Sequence, residues 1–249
     1  MRSLFLLPLL LADPVHAYEW RDTPLMNRLK EIHNKQVLVG LQKLPDGQDT
    51  NANDTLGGVT PALQMFDLHG FSLGHRDENE RRVVQNRINA AIKWIDRGGV
   101  AQFHWHWPHP LNPKGSAWLA KHGRFEASPH FSLAKAVVSG TPENLAVIRD
   151  LEWIAQFLEQ LGDREFVFRP LWEMEGGWFW WGATEPDENG DSKTGNTPEE
   201  YRQFNIFVRQ WLEGRGVVDN AVWLYSMAPT VFGKGLHTCL LYTSPSPRD

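Results

Sequence analysis

After residue 20 the chain alternates strand-like and helix-like segments, and this alternation limits its fold more than any other feature. The apolar, β-branched run "QVLVGLQ" (36–42) reads as a strand, as do "ALQMFDLHG" (62–70), "VAQFHWHW" (100–107), "EFVFRPLWE" (165–173) and "AVWLYSMAP" (221–229). Helical patterns lie between them. A short helix is expected from Leu25 to Asn34. In "NERRVVQNRINAAIKWIDRGG", Val84, Ile88, Ala91, Ile92 and Ile95 form one stripe, which Gly98 and Gly99 end. In "TPENLAVIRDLEWIAQFLEQLGD", Thr141 can cap and Pro142 suits the first turn; Leu145, Ile148, Leu151, Ile154, Ala155 and Leu158 are the expected buried face, and Gly162 the stop. In "TPEEYRQFNIFVRQWLEGRG", Thr197 and Glu200 have capping-box spacing.

Strands separated by helices pair in parallel, because parallel neighbours need a crossover connection. A (β/α)8 barrel and an open doubly wound sheet both meet that requirement. No glycine-rich phosphate loop follows the first strand, which disfavours a dinucleotide-binding sheet. Polar and aromatic residues gather instead at C-terminal strand ends: His104 and His106 on the third, Glu173 on the fourth, Tyr225 on the fifth. Barrel enzymes build their sites there. The expected class is therefore α/β, a (β/α)8 TIM barrel that is incomplete here, with about five of the eight units present.

The two ends carry their own signals. "MRSLFLLPLLLADPVHA" has a positive start, a short apolar run and small residues at Val15 and Ala17, as a signal peptide does, so residues 1–17 are expected to be removed. The run is too short to span a bilayer. A secreted protein, extracellular or periplasmic, is expected, without a membrane partner after cleavage. After Pro229 the ending "CLLYTSPSPRD" shows neither helical stripe nor strand alternation. The expectation is that 18–235 is the N-terminal part of a catalytic barrel and 236–249 a non-native tail. Cys239 is the single cysteine, so no internal disulfide can form. A formal net charge of −5 without basic runs argues against nucleic acid as a partner.

The chemistry concentrates in "FRPLWEMEGGWFWWG" (168–182). Glu173 stands among Trp172, Trp178, Trp180 and Trp181. Large apolar rings solvate a carboxylate poorly, which raises its pKa and keeps a general acid protonated near neutral pH. Glycosidases need such a group on the leaving oxygen, and indole faces suit the C–H faces of sugars. Twelve tryptophans are more than a core usually holds and suggest a binding surface for flat, partly apolar ligands. Glu175 reads as a loop residue or hydrogen-bonding partner. Arg169 shares the strand face of Glu173, but four residues along a strand is about 13 Å, so Arg169 is expected to be a buried interior charge rather than a direct partner. "FHWHWPHP" contains His104, His106 and His109. Alternation puts His104 and His106 on one face, with Phe103, Trp105 and Trp107 towards the helices. His106 reads as a substrate hydrogen-bonder and His104 as an interior polar residue, with no metal and no cofactor expected. Two other readings compete: a non-catalytic carbohydrate-binding barrel, and a metal-dependent amidohydrolase built on His104 and His106.

These segments resemble glycoside hydrolase family 26, whose corresponding stretch reads approximately F-R-P-L-H-E-M-N-G-x-W-F-W-W-G. "GGVAQFHWHWPHP", "PALQMFDLHG" and "YRQFNIFVRQWLEGRGVVDNAVWLYSMAP" are similar to its third strand, second strand, and fourth helix with fifth strand; the likeness covers about residues 20 to 230. The resemblance implies a retaining endo-β-1,4-mannanase on a (β/α)8 barrel, acting on mannan or a related β-glycan. It implies Glu173 as acid/base, with His106, Trp172 and Trp178 at the substrate. The family's nucleophile is a glutamate of the seventh strand, beyond this chain, so the chain alone is expected to be inactive. Two positions depart from the pattern: Trp172 replaces a histidine and Glu175 an asparagine. Relatives that act on mixed-linkage β-glucan or β-1,3-xylan supply the alternative substrates.

Overall fold

The structure is a computed structural model that describes residues 22–36, 38, 40–42, 61–68, 78–112, 130–183 and 194–225. The expected signal peptide and the tail lie outside the described residues. Five strands form one sheet: β1 (Gly40–Gln42), β2 (Leu63–Asp67), β3 (Val100–His104), β4 (Phe166–Arg169) and β5 (Ala221–Trp223). Every neighbouring pair is parallel and the spatial order is β1-β2-β3-β4-β5. A doubly wound sheet reverses its order at a switch point, whereas a barrel runs sequentially. The sequential order therefore selects the barrel arrangement.

The helices are α1 (Pro24–Ile32), α2 (Glu78–Ile95), a single turn α3 (Leu133–Ala136), α4 (Pro142–Leu158) and α5 (Pro198–Gly214). Their starts follow local chemistry. Thr141 accepts from the Asn144 N–H ahead of Pro142, and Thr197 with Glu200 forms the complete capping box of α5. Gly98 ends the turn after α2 at φ +87°, a conformation that favours glycine. One expectation fails: Leu145 is 59 % exposed. The buried stripe of α4 instead runs through Asn144, Val147, Leu151, Ile154 and Leu158, with Asp150 and Ala155 beside it.

The two sheet faces divide the work. Phe66, Ala101, Phe103, Phe166 and Phe168 are buried against the helices, each large ring contributing roughly 1.5–3 kcal/mol by leaving water. On the other face, Leu63 pairs with Val100, and Met65, Gln102, Val167 and Val222 continue the next row. Leu25 of α1 packs on Val100, Val167 and Val222, and its N–H donates to the carboxylate of Glu165 just before β4, at 3.0 and 2.9 Å. This apolar plug fills the N-terminal end of the strands and leaves their C-terminal ends for polar groups.

Candidate active site at the C-terminal strand ends

The register builds the site. Asp67 pairs with His104, and His104 with Arg169, so the last residues of β2, β3 and β4 form one polar row. His106 follows two residues later. Its backbone N–H donates to Asp67 Oδ1 at 3.3 Å, and its Nδ1 lies 2.7 Å from Asp67 Oδ2. His104 Nε2 is 3.6 Å from that same oxygen. Arg87 of α2 donates to the Asp67 carbonyl. Asp67, His104 and His106 have ligand atoms within 4.8 Å of one another and are the one such group among the described residues. Both carboxylate oxygens of Asp67 are engaged by His106, while His104 stands 3.6 Å from one of them. Burial pushes the His104 imidazole down to about 4, against the opposing pull of Asp67, so His104 is neutral near pH 7. His104 is thus the interior polar residue expected. His109 is also buried, and its Nδ1 accepts from the Leu111 N–H at 3.2 Å.

Beyond Arg169 the fourth strand stops, and this ending brings Glu173 into the site. Glu173 sits in the left-handed region at φ 57°, ψ 44° and is followed by a 3-10 turn, Met174–Gly176. Side chains other than glycine occupy that region at a cost of about 1–3 kcal/mol, and such residues cluster at functional sites. The turn folds the carboxylate back, so Glu173 Oε1 lies 3.7 Å from Arg169 Nη2. The separation expected from an extended strand is therefore corrected: Arg169 is a direct partner because β4 ends before Glu173. The same ending brings Trp172 inward. Its ring lies 4.8 Å from His106 and 6.0 Å from His104, both at near-right angles, with the Arg169 guanidinium 4.6 Å over it.

Burial pushes the Glu173 carboxyl above its ordinary range, as a general acid requires. Arg169, Trp178 and His106 pull it down, and Glu175 adds to the rise. The Trp178 N–H is close enough to favour the Glu173 anion without making a hydrogen bond of standard geometry. Gly176 permits this placement, since a Cβ there would meet the Trp178 ring at 2.2 Å. Glu175 turns elsewhere and accepts from the Tyr225 hydroxyl at 2.6 Å, which makes it the hydrogen-bonding partner expected.

The other aromatics of the segment are not a sugar surface. Phe179, Trp180 and Trp181 are at most 1 % exposed. Trp180 donates to the Trp107 carbonyl at 2.7 Å and Trp181 to the Trp172 carbonyl at 3.0 Å. Trp107 donates to buried Asp150 at 2.9 Å. These rings anchor the acid's loop to the core. Tyr201 of α5 adds a hydroxyl bond to the Leu171 carbonyl. Sequence reasoning missed Asp67. The signal was present: Leu63, Met65 and Asp67 share a strand face, and Asp67 ends it.

The profile of glycosyl hydrolase family 26 matches residues 17–232. A mannan endo-1,4-beta-mannosidase of Thermothelomyces thermophilus is 34% identical over 212 residues, which is 82% of this chain and 40% of that protein. One from Bacillus subtilis is 30% identical over 141 residues, 55% of this chain and 36% of that protein. The crystal structure of a beta-mannanase from a symbiotic protist of the termite Reticulitermes speratus, complexed with gluco-manno-oligosaccharide, superposes with a TM-score of 0.66 at 26% identity, covering 84% of this chain and 62% of that one. This chain therefore spans about two fifths of the first relative's length. Its five consecutive parallel strands, with helices between β2 and β3, β3 and β4, and β4 and β5, are part of a (β/α)8 barrel, and the chain belongs to glycosyl hydrolase family 26.

Proposed function

We propose that the chain is the N-terminal part of a secreted, retaining endo-β-1,4-mannanase. The observation that carries this is Glu173: a carboxyl whose pKa burial raises, held at positive φ beside Arg169, Trp172 and His106 in a family 26 chain. In this reading Glu173 protonates the leaving glycosidic oxygen, and then, as its anion, takes a proton from the incoming water. A second carboxylate, from a seventh strand outside this chain, attacks the anomeric carbon from about 5–5.5 Å away. His106, oriented by Asp67, hydrogen-bonds the sugar, and half-buried Trp178 lies beside the bond to be cleaved. The substrate partner is mannan. Mixed-linkage β-glucan and β-1,3-xylan are the substrates to compare, since Trp172 and Glu175 depart from the mannanase pattern.

The test uses the protein extended through all eight β/α units. It is incubated with β-1,4-mannan, mixed-linkage β-glucan and β-1,3-xylan, and the first product is followed by proton NMR. Fastest cleavage of mannan with β-anomer appearing first is expected. An α-anomer as first product contradicts retention, and faster cleavage of either other polymer contradicts the mannan assignment. The same preparation, assayed for bound metal, decides the amidohydrolase reading: one zinc per chain at Asp67, His104 and His106 would support it. Export is tested by sequencing the N-terminus of the secreted protein, which should begin at Tyr18.

A further inference from the structure

Trp172 immediately precedes Glu173, and its bonding differs from that of Trp107, Trp180 and Trp181. Trp107, Trp180 and Trp181 each place the indole N–H on an oxygen. Trp172 is 9 % exposed, and its buried N–H meets no acceptor among the described residues. A buried donor left unmet lowers stability, so its persistence asks for a reason. The N–H groups of Trp105, Trp178 and Trp223 also lack an acceptor, but Trp105 stacks on Trp107 at 3.9 Å and Trp223 packs on Phe168, both on the helix side of the sheet, and the Trp178 N–H faces the Glu173 carboxylate. Trp172 instead contacts His106 and Arg169, the groups that surround Glu173.

The ring is not a stacking platform. Arg169 lies 4.6 Å over it, Phe179 is 4.7 Å away and His106 4.8 Å. With its surroundings filled, the chemistry left for Trp172 to offer a ligand is its N–H. An indole can only donate, whereas an imidazole donates or accepts according to its tautomer.

We propose that Trp172 is a specificity-determining residue whose N–H donates to a hydroxyl oxygen of the sugar bound beside Glu173. This rests on the reading of the site as that of a β-glycanase. The ligand class is a β-linked hexose chain that presents an accepting oxygen at this point. A site built to bond a hydroxyl rejects sugars that lack it far more strongly than a site of shape alone.

The experiment uses the eight-unit protein carrying Glu173→Gln, so that the oligosaccharide is bound but not cleaved. β-1,4-Mannohexaose binding is measured by calorimetry with Trp172 present, with Trp172→Phe and with Trp172→His, and each variant is melted. Expected are about tenfold weaker binding for Phe, with a melting temperature equal or higher because the unmet donor is gone, and partial recovery for His. In the Trp172 protein, the indole N–H resonance that disappears in Trp172→Phe should also move downfield on adding the sugar. Equal binding by Trp172 and Phe overturns the proposal. So does a fall in binding and melting temperature together, which marks a structural role, or a His variant that binds no better than Phe. Failure of the glycanase reading shows separately, as no hydrolysis of β-1,4-mannan, mixed-linkage β-glucan or β-1,3-xylan by the protein with Glu173 intact.

Discussion

Burial raises the Glu173 pKa and Arg169 opposes that rise, so the sign of the Arg169 effect can be worked out. Burial disfavours the Glu173 anion and the Arg169 cation, 3.7 Å away, favours it. In Arg169→Gln the opposing charge is gone, so the Glu173 pKa rises further. A general acid works while protonated, so the alkaline limb of kcat/KM should move to higher pH. A limb that stays in place or moves to lower pH would show that Arg169 does not act on Glu173. Neither the pairing nor the positive φ of Glu173 was legible in the sequence. "FRPLWE" reads as one extended run, and only the stop after Arg169 folds residue 173 back on residue 169. The direction of the Glu173 pKa shift was legible, although burial at the turn after β4 produces it and two of the rings credited in the sequence, Trp180 and Trp181, pack behind the loop.

At the scale of elements, the loop from Leu171 to Ala183 is a packed part of the fold that carries Glu173. Trp180 and Trp181 pin it through their N–H bonds, Tyr201 holds Leu171, and buried Asn196 reaches the carbonyls of Trp180 and Gly182, each at 3.5 Å. Sequence reasoning saw the aromatic density but assigned too much of it to the ligand. Composition cannot tell a ring facing a sugar from one filling the space behind a loop. Capping and stripes were legible where the signal is local, as at Thr141 and Thr197. The burial of α4 was misread at Leu145 because Trp107 draws Asp150 into the packed side of the helix. Gly176→Ala tests the loop directly. Its Cβ would collide with the Trp178 ring, so Trp178 must move. Mannan turnover should fall roughly tenfold or more, while the melting temperature changes by a few degrees. Full turnover in this variant would remove Trp178 from the site.

Across the whole molecule, sequential parallel strands with an apolar plug at one end and the polar row Asp67, His104 and Arg169 at the other define where chemistry can occur. The alternation of strand and helix signals made this architecture legible. The register did not show, because only pairing reveals that Asp67 and Arg169 flank His104. In our reading the remaining units close the barrel. On that reading the 249 residues alone should melt without a cooperative transition and leave mannan intact. A sharp transition together with hydrolysis would refute this. The central claim is that Glu173 is the general acid/base, and one comparison in the eight-unit protein tests it most directly. Glu173→Ala is assayed on β-1,4-mannan and on an aryl β-mannobioside whose leaving group needs no proton, with and without azide. The account predicts a loss of about 10²–10⁴-fold on mannan, a much smaller loss in the first, glycosyl-transfer step on the aryl substrate, and azide rescue of turnover that yields a β-glycosyl azide. Mannan hydrolysis within a few-fold of the unaltered protein would contradict it.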